Sequence, residues 1–198
     1  MKQTLSLEHN YKAAANPSEA SPVIIMLHGY GSDENDLFSF ASELPENYTI
    51  ISLKAPIAMQ PYGNAWYNIH FDNAEGKFSD NEEAIKSRDL ILKCINEITE
   101  KYKVDAAQVT LLGFSQGTIL SLAVALSYPQ NIKNVIGLSG YINEEILIKD
   151  YVENDFSQLN IYSSHGSVDQ VIPVDWARKT KPFLETALYS YQFQIQKS

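Results

Sequence analysis

At 198 residues, with 44% hydrophobic and 20% charged positions, the chain reads as one globular domain (residues 1–198) with a sizeable core. A net charge of −9 argues against nucleic acid or an anionic membrane surface as the main partner. One cysteine excludes an internal disulfide framework, and no apolar run is long enough for stable membrane insertion, so the cytoplasm is the expected compartment.

The first residues predict a hairpin, closed by the turn cluster "NPSEASP" (16–22). "VIIML" (23–27) is apolar throughout, as a strand buried on both faces would be, and it ends at His28-Gly29. "DENDLFSFASEL" predicts a helix and "YTIISLKAP" a strand stopped by proline. The aromatic-rich segment "YGNAWYNIHFD" predicts irregular backbone, either a pocket wall or plain packing. "SDNEEAIKSRDLILKCINEITEKY" opens with overlapping capping boxes, Ser79 to Glu82 and Asp80 to Glu83. It then sets Ile91, Cys94 or Ile95, Ile98 and Tyr102 on one face, with Cys94 a packing residue.

"QVTLL" predicts a strand, "QGTILSLAVALSY" a helix and "NVIGLS" a strand. "LNIYSS", "VDWARKTKPFLETAL" and "YSYQFQIQKS" predict strand, helix and the start of a last strand. Strands alternating with helices imply an α/β fold with a mostly parallel sheet and helices on both faces. Ligands of such sheets bind at the carboxyl ends of the strands, which directs attention to the loops after residues 27, 55, 112, 138 and 164.

"GFSQG" (113–117) occupies one of those loops. G-x-S-x-G is a weak signal alone, but here a strand precedes it and a helix follows. Gly113 and Gly117 give the tight turn room, and Ser115 stands at a helix N-terminus, where the dipole favours developing negative charge. The competing reading is a glycine-rich turn with an idle serine. "LHGYGSDEND" (27–36) offers a second backbone turn able to donate N–H groups to an oxyanion. "SSHGSVDQVIP" (163–173) carries Asp169, a turn former on its own. After Ser115 in chain order, it is also where a triad acid would fall.

Together, "LHGYGSDENDLF", "GFSQG" and "SHGSVDQVIP" resemble the carboxylesterase/phospholipase family of α/β-hydrolases, which includes the acyl-protein thioesterases. The resemblance runs from about residue 22 to 189 and implies an α/β-hydrolase fold. It makes Ser115 the nucleophile and Asp169 the triad acid, with Tyr30 and Gln116 supplying oxyanion-hole N–H groups. It places Trp66 and Val171 at the substrate groove, and it implies no metal and no organic cofactor. The implied substrates are small acyl esters, thioesters or lysophospholipids, and a homodimer is among the arrangements it leaves open.

The family's catalytic histidine follows the acid, whereas this sequence has His9, His28, His70 and His165 and none after Asp169. The sequence reading is therefore of a chain that stops short of its base and of a final helix. It expects impaired catalysis, with self-association through an uncovered apolar stripe. His28 reads as a structural member of the oxyanion loop, and His165 matches a structural position. A non-catalytic protein that binds acyl ligands is the alternative.

Overall fold

Apolar runs that would be costly to leave wet on either face become the inner strands of a seven-stranded sheet. The computed structural model describes residues 3–16, 20–72, 76–187 and 190–196. In chain order the elements are β1 (His9–Lys12), β2 (Ser21–Leu27), a 3-10 turn (Leu37–Phe40) and β3 (Thr49–Leu53). Two antiparallel ribbons follow, β4 (Ile57–Ala58) with β5 (Asn64–Ala65), and β6 (Ile69–Asp72) with β7 (Gly76–Ser79). Then come α1 (Asn81–Lys101), β8 (Val104–Phe114), α2 (Gln116–Ser127), β9 (Asn134–Leu138), β10 (Asn160–Gly166), α3 (Val174–Ala187) and β11 (Ser190–Gln196).

The sheet order is β1-β3-β2-β8-β9-β10-β11, and every pairing is parallel except β1 with β3. At its centre Ile25 of β2 stands level with Ile51 of β3 and Leu111 of β8. One face packs Val23, Ile25, Leu111 and Val135 into the main core with α1 and α2. The other sets Ile24, Met26 and Ile50 against Leu37 of the 3-10 turn. Every residue of α2 is buried, its apolar side chains in the core and the hydroxyls of Thr118 and Ser121 hydrogen-bonded to backbone carbonyls. α1 buries Ile91, Cys94, Ile95 and Ile98, and Asp80 caps it by accepting from Glu83 N–H at 3.0 Å. Glu83 does not complete the capping box. Its carboxylate takes the Asn68 backbone N–H (2.7 Å) and side-chain amide (3.1 Å), tying α1 to the segment before β6.

Three expectations change. The N-terminal hairpin is a single strand, β1, which pairs with β3 far along the chain because the outer edge of β3 offers a free ladder. "DENDLFSFASEL" forms only a 3-10 turn over Leu37–Phe40. Its polar residues hold the local backbone instead: Asp33 accepts Asn35 N–H (2.8 Å), and Asp36 accepts the Ser32 hydroxyl (2.7 Å). The aromatic segment 62–72 carries β5 and β6 rather than irregular backbone, with an isolated bridge from Ser32 to Asn64. Of "NPSEASP", residues 17–19 lie outside the described residues. No described helix is long and apolar enough to cross a membrane.

Burial pushes the Cys94 thiol up to about 11, with Glu97 nearby adding to the effect, so the thiol is neutral at physiological pH. A chromogenic disulfide reagent at pH 8 is expected to leave the native protein unmodified and to titrate this thiol in urea. Rapid stoichiometric reaction of the folded protein would contradict the packing described here.

Candidate active site

Ser115 joins the end of β8 to the start of α2 with φ 52° and ψ −114°, a conformation costing a non-glycine residue about 1–3 kcal/mol. The surroundings leave it no alternative. Its N–H donates to Leu138 O at 2.8 Å, and its carbonyl accepts from Thr118 N–H (3.0 Å) and Ile119 N–H (3.2 Å). A Cβ on Gly117 would sit 1.9 Å from Leu27 O, and one on Gly113 would sit 2.5 Å from Gly117 O. Strand, turn and helix are in backbone contact. The Thr118 hydroxyl accepts from Leu138 N–H (2.9 Å) and lies 2.7 Å from the carbonyls of Gly113 and Leu138, joining β8, β9 and α2.

Gln116 opens α2, so its N–H has no intrahelical acceptor. Its side chain, 2% exposed, accepts from Trp66 N–H and donates to Tyr67 O, both at 2.8 Å. The Trp66 indole N–H donates to His28 O at 2.9 Å. His28 Nε2 accepts from Ala55 N–H (3.0 Å), which leaves the ring proton on Nδ1, donated to Gly29 O at 2.8 Å. Burial lowers the His28 pKa below its ordinary value, against the opposing pull of Asp33, Asp36 and Glu34. A neutral imidazole therefore braces the loop that presents Tyr30. Gly31 N–H is taken by Asn64 O (2.9 Å), whereas Tyr30 N–H has no backbone acceptor among the described residues.

Beyond β10, Asp169 turns its loop back on itself. Oδ1 accepts from Val171 N–H (2.8 Å) and Ile172 N–H (2.9 Å), and Oδ2 is 3.6 Å from His165 Nε2. That nitrogen lies 2.8 Å from Ile172 O, so it carries the proton and donates there. His165 Nδ1 is buried without a partner, and its ring does not reach the cavity.

A cavity of about 740 Å³ opens at the carboxyl ends of the strands. Ser115, Gln116, Tyr30, Asp169 and Val171 all line it. Trp66 does not: it is 0% exposed, because its indole is used to join the 64–67 segment to the loop after β2. Its neighbour Tyr67 lines the cavity instead, as do Tyr141 and Trp176, whose rings meet edge to face at 5.2 Å. Tyr67 belongs to the aromatic segment read as either a pocket wall or plain packing, whereas Tyr141 and Trp176 carried no sequence signal, each being an aromatic residue beside a strand or helix end. The clamp made by the Gln116 side chain was equally silent.

His28 and His165 are structural, as the sequence implied. His9 is hydrogen-bonded to Tyr102 (2.7 Å) and His70 lies 3.4 Å from Asp80. Ser115 Oγ has no hydrogen-bond partner among the described residues, and no histidine lines the cavity. Among those residues no group of three His, Cys, Asp or Glu side chains is placed to hold a metal ion.

A parallel sheet whose second central strand ends in a strained serine turn, with a cavity over it, defines an α/β-hydrolase. A family model described as Phospholipase/Carboxylesterase matches residues 9–198, and the chain belongs to that family, one of carboxylic-ester hydrolases. Acyl-protein thioesterase 1 of Saccharomyces cerevisiae is 25% identical over 201 residues, covering 94% of this chain and 88% of the relative. The protein of the same name from Candida albicans is 30% identical over 182 residues, covering 84% and 78%. Among solved structures, esterase PE8 superposes with a TM-score of 0.82 at 22% identity, over 98% of this chain and 90% of that one. The Bacillus cereus carboxylesterase gives 0.80 at 16%, over 98% and 85%.

Two outcomes follow from the bracing of the turn and loop. Gly117→Ala is expected to cost about 3 kcal/mol or to prevent folding, read from urea unfolding. His28 has a folded pKa below its ordinary 6.5, so the unfolded chain binds more protons between those two values. Its contribution is complete above pH 6.5 and is lost as the pH falls below it. Between pH 7.5 and 5.5, His28→Asn should lose less stability than the parent protein. Equal losses would show that His28 does not titrate as described.

Proposed function

We propose that the cavity hydrolyses short-to-medium acyl esters, thioesters or lysophospholipids through an acyl-enzyme on Ser115. The observation that carries this reading is the meeting of Ser115, Asp169, Tyr30 and Gln116 in one cavity, with Ser115 on a strained turn. Ser115 Oγ attacks the acyl carbon as a base removes its proton, and the carbonyl oxygen becomes an oxyanion. The Gln116 and Tyr30 N–H groups receive that charge, each lacking a backbone acceptor of its own. The base returns the proton to the departing alcohol or thiol, the acyl group stays on Oγ, and water then releases it as a carboxylic acid. Asp169 orients the base through Oδ2, since Oδ1 is committed to its own loop.

The printed names of the relatives favour acyl thioesters among the substrates. The lone buried thiol favours a reducing, cytoplasmic setting. The base is the step for which the 198 residues supply no free imidazole. His9, His28 and His165 are buried in structural roles, and Asp80 lies beside His70. Loss of a triad histidine lowers kcat by about a million-fold, so the 198-residue chain should turn over esters very slowly.

The test is turnover of a p-nitrophenyl ester series by three proteins: the 198-residue chain, its Ser115→Ala variant, and a version extended through a Gly-His segment and a helix. The extended protein is expected to be far faster, and Ser115→Ala to abolish its activity. Vigorous hydrolysis by the 198-residue chain, untouched by Ser115→Ala, would overturn the reading. An inert extended protein that still binds acyl ligands would favour a binding role instead.

A further inference from the structure

Ser139, at the end of β9, is the other non-glycine residue with positive φ among the described residues, at 53°. Glycine would hold that conformation with less strain, so a side chain kept there points to a use for it. Its N–H donates to Ser164 O at 2.8 Å, which fastens the turn to β10. On its other side Leu138 O accepts from Ser115 N–H, and a Cβ on Gly140 would come within 3.1 Å of Ser115 O. Ser139 lines the same cavity as Ser115 and Asp169, and its hydroxyl has no hydrogen-bond partner among the described residues.

The order of the sheet says what that hydroxyl would meet. β8 carries Ser115, β9 carries Ser139 and β10 leads to Asp169, so two strand spacings, roughly 10 Å, separate the outer pair. A base that bridges Ser115 and Asp169 must pass above the end of β9. The oxyanion donors lie on the opposite side, on the loop after β2 and at the start of α2. With the oxyanion held towards β2, the leaving atom has to face the base to receive its proton, and so stands over Ser139.

We propose that Ser139 is a specificity-determining residue whose hydroxyl donates a hydrogen bond to the leaving-group heteroatom as its bond to the acyl carbon breaks. This rests on Ser115 being the nucleophile. Electrons of the breaking bond collect on the leaving atom, the Ser139 O–H stabilises them, and the base supplies the proton that completes the alcohol or thiol. Ser139 keeps its own proton throughout. Oxygen accepts a hydrogen bond far better than thioether-like sulfur, so the contact should favour oxygen esters over thioesters.

The experiment compares ethyl butyrate with S-ethyl thiobutyrate on the parent chain, Ser139→Ala and Ser139→Gly, at pH 7.5 with and without free imidazole as an external base. Loss of a hydrogen bond to a developing charge should lower kcat/KM for the oxygen ester by about ten-fold or more, in both variants. The thioester rate should move by less than about two-fold, since a weak sulfur contact has little to lose. Ser139→Gly also relieves the strain, so a role in folding alone would separate it from Ser139→Ala. Equal losses on both esters, or no loss on either, would overturn the proposal. Absence of Ser115-dependent turnover even when imidazole supplies the base would overturn the reading of Ser115 and this one with it.

Discussion

Where α2 meets the end of β2, Gly117 lies so close to the Leu27 carbonyl that a methyl group would sit 1.9 Å from its oxygen. This backbone contact brings the loop after β2 and the start of α2 to one place. It also confines the turn between β8 and α2, so Ser115 keeps a positive φ that an unconstrained chain would relax. Thr118 adds a hydroxyl between β8, β9 and α2, fixing the turn against the neighbouring strand as well. The strain at the serine is therefore held by the close packing of strands and helix.

From that contact two supports spread outward, each built on a buried histidine. On the β2 side, His28 receives Ala55 N–H and gives its own proton to Gly29 O, while the Trp66 indole and the Gln116 amide complete a chain to the Ser115 turn. On the β10 side, His165 fixes Ile172 O and Asp169 accepts two N–H groups of its own loop. At His28 burial disfavours the charged form of the imidazole. The result is a cavity whose polar groups are aimed by hydrogen bonds made away from its surface.

Much of this was legible in the residues. The apolar run of β2 is buried as read, 116–127 is a helix, and "GFSQG" has its strand before and helix after. Tyr30, Gln116, Asp169 and Val171 do share a cavity with Ser115. The reading went astray where side chains compete locally with the backbone or where a distant segment takes over. Asp33 and Asp36 hold the 33–40 backbone by their own hydrogen bonds, so a helix-like pattern yields one 3-10 turn. β1 pairs with β3, and Trp66 turns inward to His28 O; neither partner is marked by sequence spacing.

The sequence by itself determined the alternation of strands and helices and the glycines of the serine turn. These are properties of residue type and order, which short-range sterics and burial translate directly into local structure. Only the tertiary structure decided which aromatics face the cavity, which partners the bracing histidines take, and that Ser139 stands between Ser115 and Asp169 at the strand ends. Those depend on strand order and on hydrogen bonds between segments far apart in the chain, where no local pattern records the partner.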